Sequence, residues 1–310
     1  MAKPTFVLID GNAILHRSYH AMPRFMVGDK LVNAVYGFIA ILFSTIERFE
    51  PTYLAVAFDV KGPTFRDDIF KEYKAKRVKP DQEFYDQIPD VWEFVRIMDI
   101  PLLAKEGFEA DDIIGTLAKR INGDLGEGEV IILTGDQDTL QLVDHRTKVA
   151  MPAMGKIKET VYDESAVIGK FGLKPSQIID YKALSGDSSD NIPGVRGIGD
   201  KGAAQLLQEF GSLEKIYEYL DLQLKMKNEK LKMTPRMAKL LIEGRNDAFM
   251  SQKLATIKLD VPLDFKLNEA KLHDFDTKKV EEFLEKFLFR SLIKRMPKSY
   301  RVMGQQETLF

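Results

Sequence analysis

The stretch Thr5-Phe6-Val7-Leu8-Ile9-Asp10-Gly11 sets a short apolar run directly before an aspartate and a glycine. A run of this length, rich in β-branched and aromatic residues, is typical of a buried strand. Similar runs cover residues 53–58 and 130–133, and helical patterns cover residues 34–49 (after a candidate cap at Asn33), 89–98 and 110–120. This alternation predicts an α/β fold, with a mostly parallel sheet flanked by helices.

The pattern becomes helical after about residue 170. Lys174-Pro175 opens one predicted helix, residues 200–210 form another, Thr234-Pro235 begins a third and Asp276 caps a last one through Phe289. We predict an α/β catalytic core over residues 1–170, a helical lobe over 171–296 and a tail over 297–310. Within the core, residues 60–80 are polar and basic without an apolar period, which indicates a long excursion from the domain.

Composition excludes several kinds of protein and site. No apolar run approaches the ~20 residues that a membrane span requires, and the first run is too short for a secretory signal, so we expect a cytoplasmic protein. The chain has no cysteine, which excludes disulfides, thiolate metal sites and a cysteine nucleophile. With only four histidines, a histidine-rich zinc site is not expected.

The distribution of charge is more informative than the net charge of −2. Between residues 61 and 79 seven basic residues face three acidic ones, and residues 225–245 and 286–301 hold two further basic stretches. Such runs are often only solvated helix faces. Together with acidic motifs confined to residues 10–190, they predict a basic surface around an acidic pocket, which suits a polyanion held over metal ions.

Carboxylates follow each predicted strand. Asp10 ends the first, Asp59 follows the second, and Asp136 and Asp138 follow the third. In open α/β sheets the site lies beyond the carboxyl ends of the strands, so these acids are expected to converge. Further acids occur at a helix start and in a polar loop: Glu109, Asp111 and Asp112, and Asp187 and Asp190.

So many carboxylates in one crevice repel each other unless cations neutralise them. Hard oxygen ligands favour Mg²⁺ or Mn²⁺, and two such ions about 4 Å apart can activate a water and stabilise the leaving oxygen at phosphorus. For any one acid, a helix cap or a turn is an equally good explanation. The combination of three strand ends with an acidic helix start favours the metal site.

Gly197-Ile198-Gly199-Asp200-Lys201-Gly202 has the spacing of a dinucleotide-binding loop, but polar turn residues precede it instead of a buried strand. We interpret the segment as a helix-hairpin-helix, near residues 186–210. Its helix start and Lys201 are expected to face a DNA phosphate, without reading the base sequence. A plain turn between helices is the alternative.

These motifs together resemble the 5′ nuclease domain of bacterial DNA polymerase I, which is related to flap endonucleases, over nearly the whole chain. The residues that carry the resemblance are Leu8-Ile9-Asp10-Gly11-Asn12, His16-Arg17, Phe58-Asp59, Gly62-Pro63-Thr64-Phe65-Arg66, Tyr73-Lys74-Ala75-Lys76-Arg77, Glu109-Ala110-Asp111-Asp112, Thr134-Gly135-Asp136-Gln137-Asp138 and the segment 186–202.

The resemblance implies a PIN-like or resolvase-like core and two or more Mg²⁺ or Mn²⁺ ions. It implies metal ligation, direct or through water, by nine acids: Asp10, Asp59, Glu109, Asp111, Asp112, Asp136, Asp138, Asp187 and Asp190. It implies that residues 60–80 form part of a helical arch, with Lys74 and Arg77 near the scissile phosphate. Arg66, Tyr73 as a stacking platform, Gly197, Gly199, Lys201 and Gly202 are implied to contact DNA, with K⁺ at the hairpin. The implied reaction removes RNA primers or flaps during replication and repair by exonucleolytic and endonucleolytic cutting.

Gln306, Leu309 and Phe310 look like a short motif that docks bacterial proteins into the sliding clamp; a frayed terminus is the alternative. The chain fits either a standalone enzyme or an excised domain, and we expect a monomer. Two other functions are considered: a ribonuclease of the PIN type, whose domains are usually shorter and lack the arch and the hairpin, and a noncatalytic DNA-junction binder.

Overall fold

A computed structural model describes residues 3–121, 125–152, 159–226 and 232–297, and the side chains of 224–226 lie outside the description. The strands are β1 Thr5–Asp10, β2 Met26–Val27, β3 Lys30–Leu31, β4 Tyr53–Ala57, β5 Leu102–Leu103, β6 Glu129–Leu133, β7 Thr147–Met151 and β8 Thr160–Tyr162. The helices are α1 Gly11–Ala21, α2 Asn33–Phe49, α3 Phe65–Ile69, α4 Gln82–Tyr85, α5 Ile88–Ile97, α6 Ala110–Ile121, α7 Glu164–Phe171, α8 Ile178–Ser185, α9 Asp200–Phe210, α10 Leu213–Met226, α11 Pro235–Glu243, α12 Arg245–Ala255, α13 Thr277–Lys286 and α14 Arg290–Ile293, with 3₁₀ turns at Gln137–Leu142, Pro175–Gln177 and Leu267–Ala270.

Six strands form one sheet in the order β5-β4-β1-β6-β7-β8, and β2 pairs with β3 in a separate hairpin. All neighbours in the large sheet are parallel except β8, which runs antiparallel to β7. In the centre, Ile9 of β1 is in register with Val56 of β4 and Leu133 of β6. The polar residues that follow these three strands therefore emerge at the same edge, and the predicted α/β fold is confirmed.

The two faces of the sheet carry separate cores because side chains alternate along a strand. Val7 and Ile9 of β1 belong to a cluster with residues of α2 and α5, whereas Phe6 and Leu8 belong to a cluster with residues of α6. Each strand residue in these clusters is almost fully buried. Apolar residues on both faces explain why the strands appear in the sequence as continuous apolar runs.

The helical lobe has its own core, formed mainly by residues of α8 to α12. After α12 the chain returns to the sheet, where Phe283 of α13 packs against Phe94 of α5 with ring centroids 5.1 Å apart. The segment assigned to the second lobe, 171–296, thus ends in helices that pack on the first core. Among the described residues, no helix is long and apolar enough to cross a membrane.

Individual boundaries differ from the predictions in instructive ways. Asn33 is the first residue of α2 instead of its cap, and its buried side chain donates to the carbonyl of Tyr19 at 2.9 Å. Asp276 caps α13 as expected by accepting from the amide of Lys279, but the helix ends at Lys286. Strands β7 and β8 were not predicted, because their mixed composition lacks a clear apolar run.

Candidate metal and nucleic-acid site

Asp10 ends β1 and caps α1, accepting from the amide of Ala13 at 2.9 Å and from the Thr134 hydroxyl at 2.8 Å. Only 4% of the residue is exposed. Burial, followed by the negative charges of Asp59 and Asp136, raises its pKa from 3.8 to about 7, although both hydrogen bonds lower it. The fold therefore holds this carboxylate where its ionised form is unfavourable without a nearby cation.

Asp59 lies just beyond β4 on the more exposed side of the site. One oxygen accepts from the amide of Ala110 at 2.7 Å, which fixes the start of α6 to the end of β4. The other accepts from the Asn12 side chain at 3.1 Å, and Asn12 in turn accepts from the backbone amide of Asp59. The carboxylate is thus oriented by the two neighbouring elements.

Asp136 caps the turn that follows β6, accepting from the amide of Asp138 at 2.9 Å. Burial and the charge of Asp136 raise the pKa of Asp138 to about 6, although Lys182 lowers it. The Lys182 ammonium lies 2.7 Å from Asp138 and also contacts Asp187. Burial lowers the pKa of Lys182, but these two carboxylates raise it above its ordinary value, so the lysine is charged.

The start of α6 contributes Glu109, the residue just before the helix, and Asp111 in its first turn. One buried oxygen of Asp111 has no hydrogen-bond partner within the described structure. Burial, followed by the charges of Asp136 and Asp10, raises the pKa of Asp111 well above its ordinary value. A buried carboxylate oxygen without a donor, surrounded by other carboxylates, fits the requirements of a site for a hard divalent cation.

Six of the nine predicted acids line one cleft of about 830 Å³: Asp10, Asp59, Glu109, Asp111, Asp136 and Asp187. His16, His20, Lys74, Arg77 and Lys182 line the same cleft. In the described part of the chain, no three acidic or histidine side chains are arranged so that they hold one metal ion. The structure therefore brings the donors into one cleft without a closed coordination shell.

Residues 65–77 lie against the site. Lys74 contacts Glu109 at 2.8 Å, and Arg77 contacts Asp190 at 2.6 Å. The amide of Lys74 donates to the carbonyl of Asp190 at 2.9 Å, and Lys74 has a left-handed φ of 54°. The segment that the sequence presents as a free excursion is thus held down on the cleft, and it contains a single short helix, α3.

Tyr73 does not support the prediction of a stacking platform. It is only 7% exposed, and its hydroxyl lies within hydrogen-bond distance of two carboxylates, 3.3 Å from Glu109 and 3.2 Å from Asp190. The ring packs in a small cluster with Ile192 and Leu254. A ring buried in this way has no free face for a base, so this prediction is wrong for this conformation.

Arg66 and Asp112 also lie elsewhere than predicted. Arg66 is 3% exposed, Asp112 is fully buried, and they form a two-pronged ion pair with both distances 2.8 Å. Neither lines the cleft. Because the two side chains are buried and bind each other, the structure contradicts direct DNA contact by Arg66 and direct metal ligation by Asp112.

The glycine segment joins α8 to α9. Gly197 has φ of 92°, and an added methyl group would lie 3.2 Å from Leu240. Gly199 precedes α9 and has open space around it, and Asp200 and Lys201 at the helix start are exposed. No side chain caps α9, so its first amides have no side-chain acceptor, as the hairpin prediction requires.

Two polar residues that contact the predicted acids have no predicted role in the sequence analysis. Lys182 lies on α8 five residues before Asp187, and Thr134 lies two residues before Asp136. A lysine preceding an acidic loop was the available signal for the first, and the position after a buried strand was the signal for the second. Gln306, Leu309 and Phe310 lie outside the described residues.

Residues 5–172 match the family described as 5′-3′ exonuclease, N-terminal resolvase-like domain, and residues 173–278 match 5′-3′ exonuclease, C-terminal SAM fold. DNA polymerase I of Caldicellulosiruptor bescii is 40% identical over 94% of the chain and 33% of that protein. DNA polymerase I of Bacillus subtilis is 39% identical over 98% of the chain and 33% of that protein. The chain thus spans about a third of the length of these curated relatives.

A solved complex of a bacteriophage T5 D15 flap endonuclease variant with DNA and metal ions shares the fold, with a TM-score of 0.66. It is 20% identical, and the likeness covers 91% of this chain and 99% of that one. The two family matches together cover most of the chain, in the order in which the α/β core and the helical lobe occur. This chain therefore belongs to the 5′-3′ exonuclease family.

Proposed function

We propose that the protein is a structure-specific 5′ nuclease, which hydrolyses phosphodiester bonds of branched DNA with divalent metal ions. The observation that supports this best is the cleft itself. Six carboxylates from five separate segments line it, together with Lys74 and Arg77. Membership of the family supports the same reaction class.

Mg²⁺, or alternatively Mn²⁺, fits the oxygen donors best. We propose that two or more ions are held by the six acids that line the cleft, with Asp138 and Asp190 beside them: Asp10, Asp59, Glu109, Asp111, Asp136 and Asp187. Bound there, the ions would activate water and stabilise negative charge on the leaving oxygen. The burial of Asp10 and Asp111 favours cation binding, because neutralising these carboxylates removes the cost that raises their pKa values.

Lys74 and Arg77 supply the positive charge on the opposite side of the scissile phosphate in this proposal. Both side chains line the cleft and are held by Glu109 and Asp190. Donors that are already positioned by the fold stabilise developing negative charge without further reorganisation. This supports a catalytic role for Lys74 and Arg77.

The hairpin would hold the duplex next to the cleft. The helix start at Asp200 without a side-chain cap, the exposed Lys201 and the open space at Gly199 suit a phosphate group. Contacts of this kind bind duplex independently of sequence, which agrees with a substrate defined by its branch. K⁺ bound at the hairpin is part of the same proposal.

We also propose that the whole protein removes primers and flaps in replication and repair. It would act as a monomer and bind the sliding clamp through the tail.

The direct test of the proposed activity is cleavage of a labelled 5′-flap duplex, a matched blunt duplex and a single-stranded RNA, each with Mg²⁺ and with chelator. We expect Mg²⁺-dependent cutting near the flap junction. Cutting of the RNA alone would instead favour the ribonuclease, and flap binding without any cutting would favour the junction binder.

A further inference from the structure

Arg66 and Asp112 connect three parts of the protein at one buried point. Arg66 lies in α3, at the start of the segment 65–77 that lies against the cleft, and Asp112 lies in the first turn of α6. The two terminal guanidinium nitrogens of Arg66 each donate to one carboxylate oxygen of Asp112, both at 2.8 Å. A planar guanidinium that binds a carboxylate in this way fixes orientation as well as distance.

Asp112 also holds the backbone around the site. Its oxygens accept from the amide of Glu109 at 3.1 Å and from the amide of Lys258 at 2.8 Å. Glu109, just before α6, and Asp111, directly before Asp112, both line the cleft. Asp112 therefore fixes the backbone from which these two carboxylates extend.

Arg66 reaches the end of the helical lobe with its remaining donors. Its Nε donates to the carbonyl of Leu254 at 2.9 Å, and one terminal nitrogen donates to the carbonyl of Thr256 at 3.1 Å. These carbonyls lie where α12 ends and the chain returns to the sheet. The pair thus links the segment 65–77, the start of α6 and the helical lobe.

We infer that Arg66 and Asp112 are positioning residues for the metal-binding carboxylates, and that neither contacts DNA or metal directly. The inference rests on the proposed function, since it concerns the site at which that function would occur. Through this pair the orientation of Glu109 and Asp111 depends on α3 and on the end of α12. Loss of either partner would weaken metal binding while leaving the surface that faces DNA intact.

The test compares Asp112→Asn and Arg66→Lys with the wild-type protein in a calorimetric titration with Ca²⁺ alone. Lysine keeps the charge but has one nitrogen, which cannot reproduce both carboxylate bonds and both carbonyl bonds. We expect each variant to lose about 10- to 100-fold in Ca²⁺ affinity, as is usual when a group that orients a ligand is removed. Combining both substitutions should cost little more than either alone, because they break one interaction.

Asp221→Asn and Arg245→Lys provide the matched control in this titration. Arg245 and Asp221 form a similar two-pronged pair, at 2.8 and 3.0 Å, but their side chains are 44% and 43% exposed. Exposed pairs contribute little to structure. These controls should keep the wild-type Ca²⁺ affinity.

DNA binding in chelator separates the inference from the alternative roles. We expect the Kd for a 5′-flap duplex and its dependence on salt to stay at the wild-type values in both variants. If Arg66 contacted a phosphate, Arg66→Lys or Arg66→Met would weaken binding and flatten the salt dependence. If Asp112 were a ligand, Asp112→Asn would lose Ca²⁺ while Arg66→Lys kept it. Either result would overturn the inference.

A single substitution at a buried ion pair can also unfold the chain, so circular dichroism accompanies each titration. Arg66→Met combined with Asp112→Leu removes both charges together, a change that buried pairs often tolerate. This folded double variant should still lose Ca²⁺ affinity, and wild-type affinity in it would refute the inference. Wild-type protein that binds no Ca²⁺ would count against the proposed function instead.

Discussion

Replacing Asp10 by asparagine should make the metal-free protein more stable at alkaline pH, although it removes a proposed metal ligand. Asp10 is 4% exposed, and burial together with Asp59 and Asp136 raises its pKa to about 7 in the folded protein. In the unfolded chain the same group returns to its ordinary value of 3.8. The folded state therefore disfavours the ionised carboxylate.

The size of the effect follows from the difference between the two pKa values. Below pH 4 the group is protonated in both states and has no influence on stability. Between pH 4 and 7 only the unfolded chain ionises, so the stability of the folded protein falls as the pH rises. Above pH 7 the full cost is present, about 4 kcal/mol at most. For a chain of this length that corresponds to an increase of about 6 °C in the Tm of Asp10→Asn.

The assay is thermal unfolding of both proteins in chelator at pH 4.5, 6 and 8, followed by circular dichroism. The advantage of Asp10→Asn should grow with pH and should shrink or reverse when excess Mg²⁺ is added, because the metal stabilises the wild type more. Asp163→Asn is the control: this exposed acid caps α7, and hydrogen bonds from Ala166 and Ser165 lower its pKa, so its replacement should destabilise at pH 8. An Asp10→Asn variant that is no more stable than wild type at pH 8, or whose advantage does not change with pH, would refute the reasoning.

Three further predictions concern catalysis and DNA binding. Asp136→Ala should reduce flap cleavage at least about 100-fold, because a proposed ligand of the ions is lost. Flap affinity in chelator should stay within about 3-fold of wild type, and full activity in a single-turnover assay would remove Asp136 from the proposed metal site. Lys74→Ala should lower the single-turnover rate about 100-fold with little change in duplex affinity; equal losses in rate and affinity would make Lys74 a simple phosphate anchor. Gly197→Ala should weaken duplex binding about 10-fold in a titration by fluorescence anisotropy. The added methyl group lies close to Leu240, and a φ of 92° is unfavourable for alanine. Gly169→Ala, on the exposed side of α7, also has open space and should bind duplex as wild type does. Equal behaviour of the two variants would contradict a role for the Gly197 backbone in DNA binding.

The sequence predicts the centre of the site because two simple periodicities determine it. Apolar runs ending in aspartate identify β1, β4 and β6, and parallel pairing brings their carboxyl ends to one edge. Asp10, Asp59 and Asp136 lie near that edge for this reason alone, with no information about tertiary contacts. The start of α6 is predictable too, since its acids occupy the first turn.

Side-chain direction within that turn could not be predicted. Asp111 and Asp112 are neighbours, but successive residues of a helix point about 100° apart, so Asp111 faces the cleft and Asp112 faces the interior. The partner of Asp112 is Arg66, 46 residues earlier, in a segment without periodicity. Tyr73 presents the same difficulty, since an aromatic residue among basic ones suggests a DNA contact until its burial by Ile192 and Leu254 is seen.

The lysines and arginines around the cleft account for how so many acids can lie together in the described structure. Lys74 neutralises Glu109, Arg77 neutralises Asp190, and Lys182 lies between Asp138 and Asp187. Among the described residues neither Asp10 nor Asp111 forms an ion pair, and burial together with neighbouring carboxylates raises the pKa of both. Positive side chains thus neutralise the acids at the rim of the cleft, whereas the negative charge of Asp10 and Asp111 in its interior favours binding of cations. We therefore expect the strongest attraction for a divalent ion between the end of β1, which carries Asp10, and the start of α6, which carries Asp111.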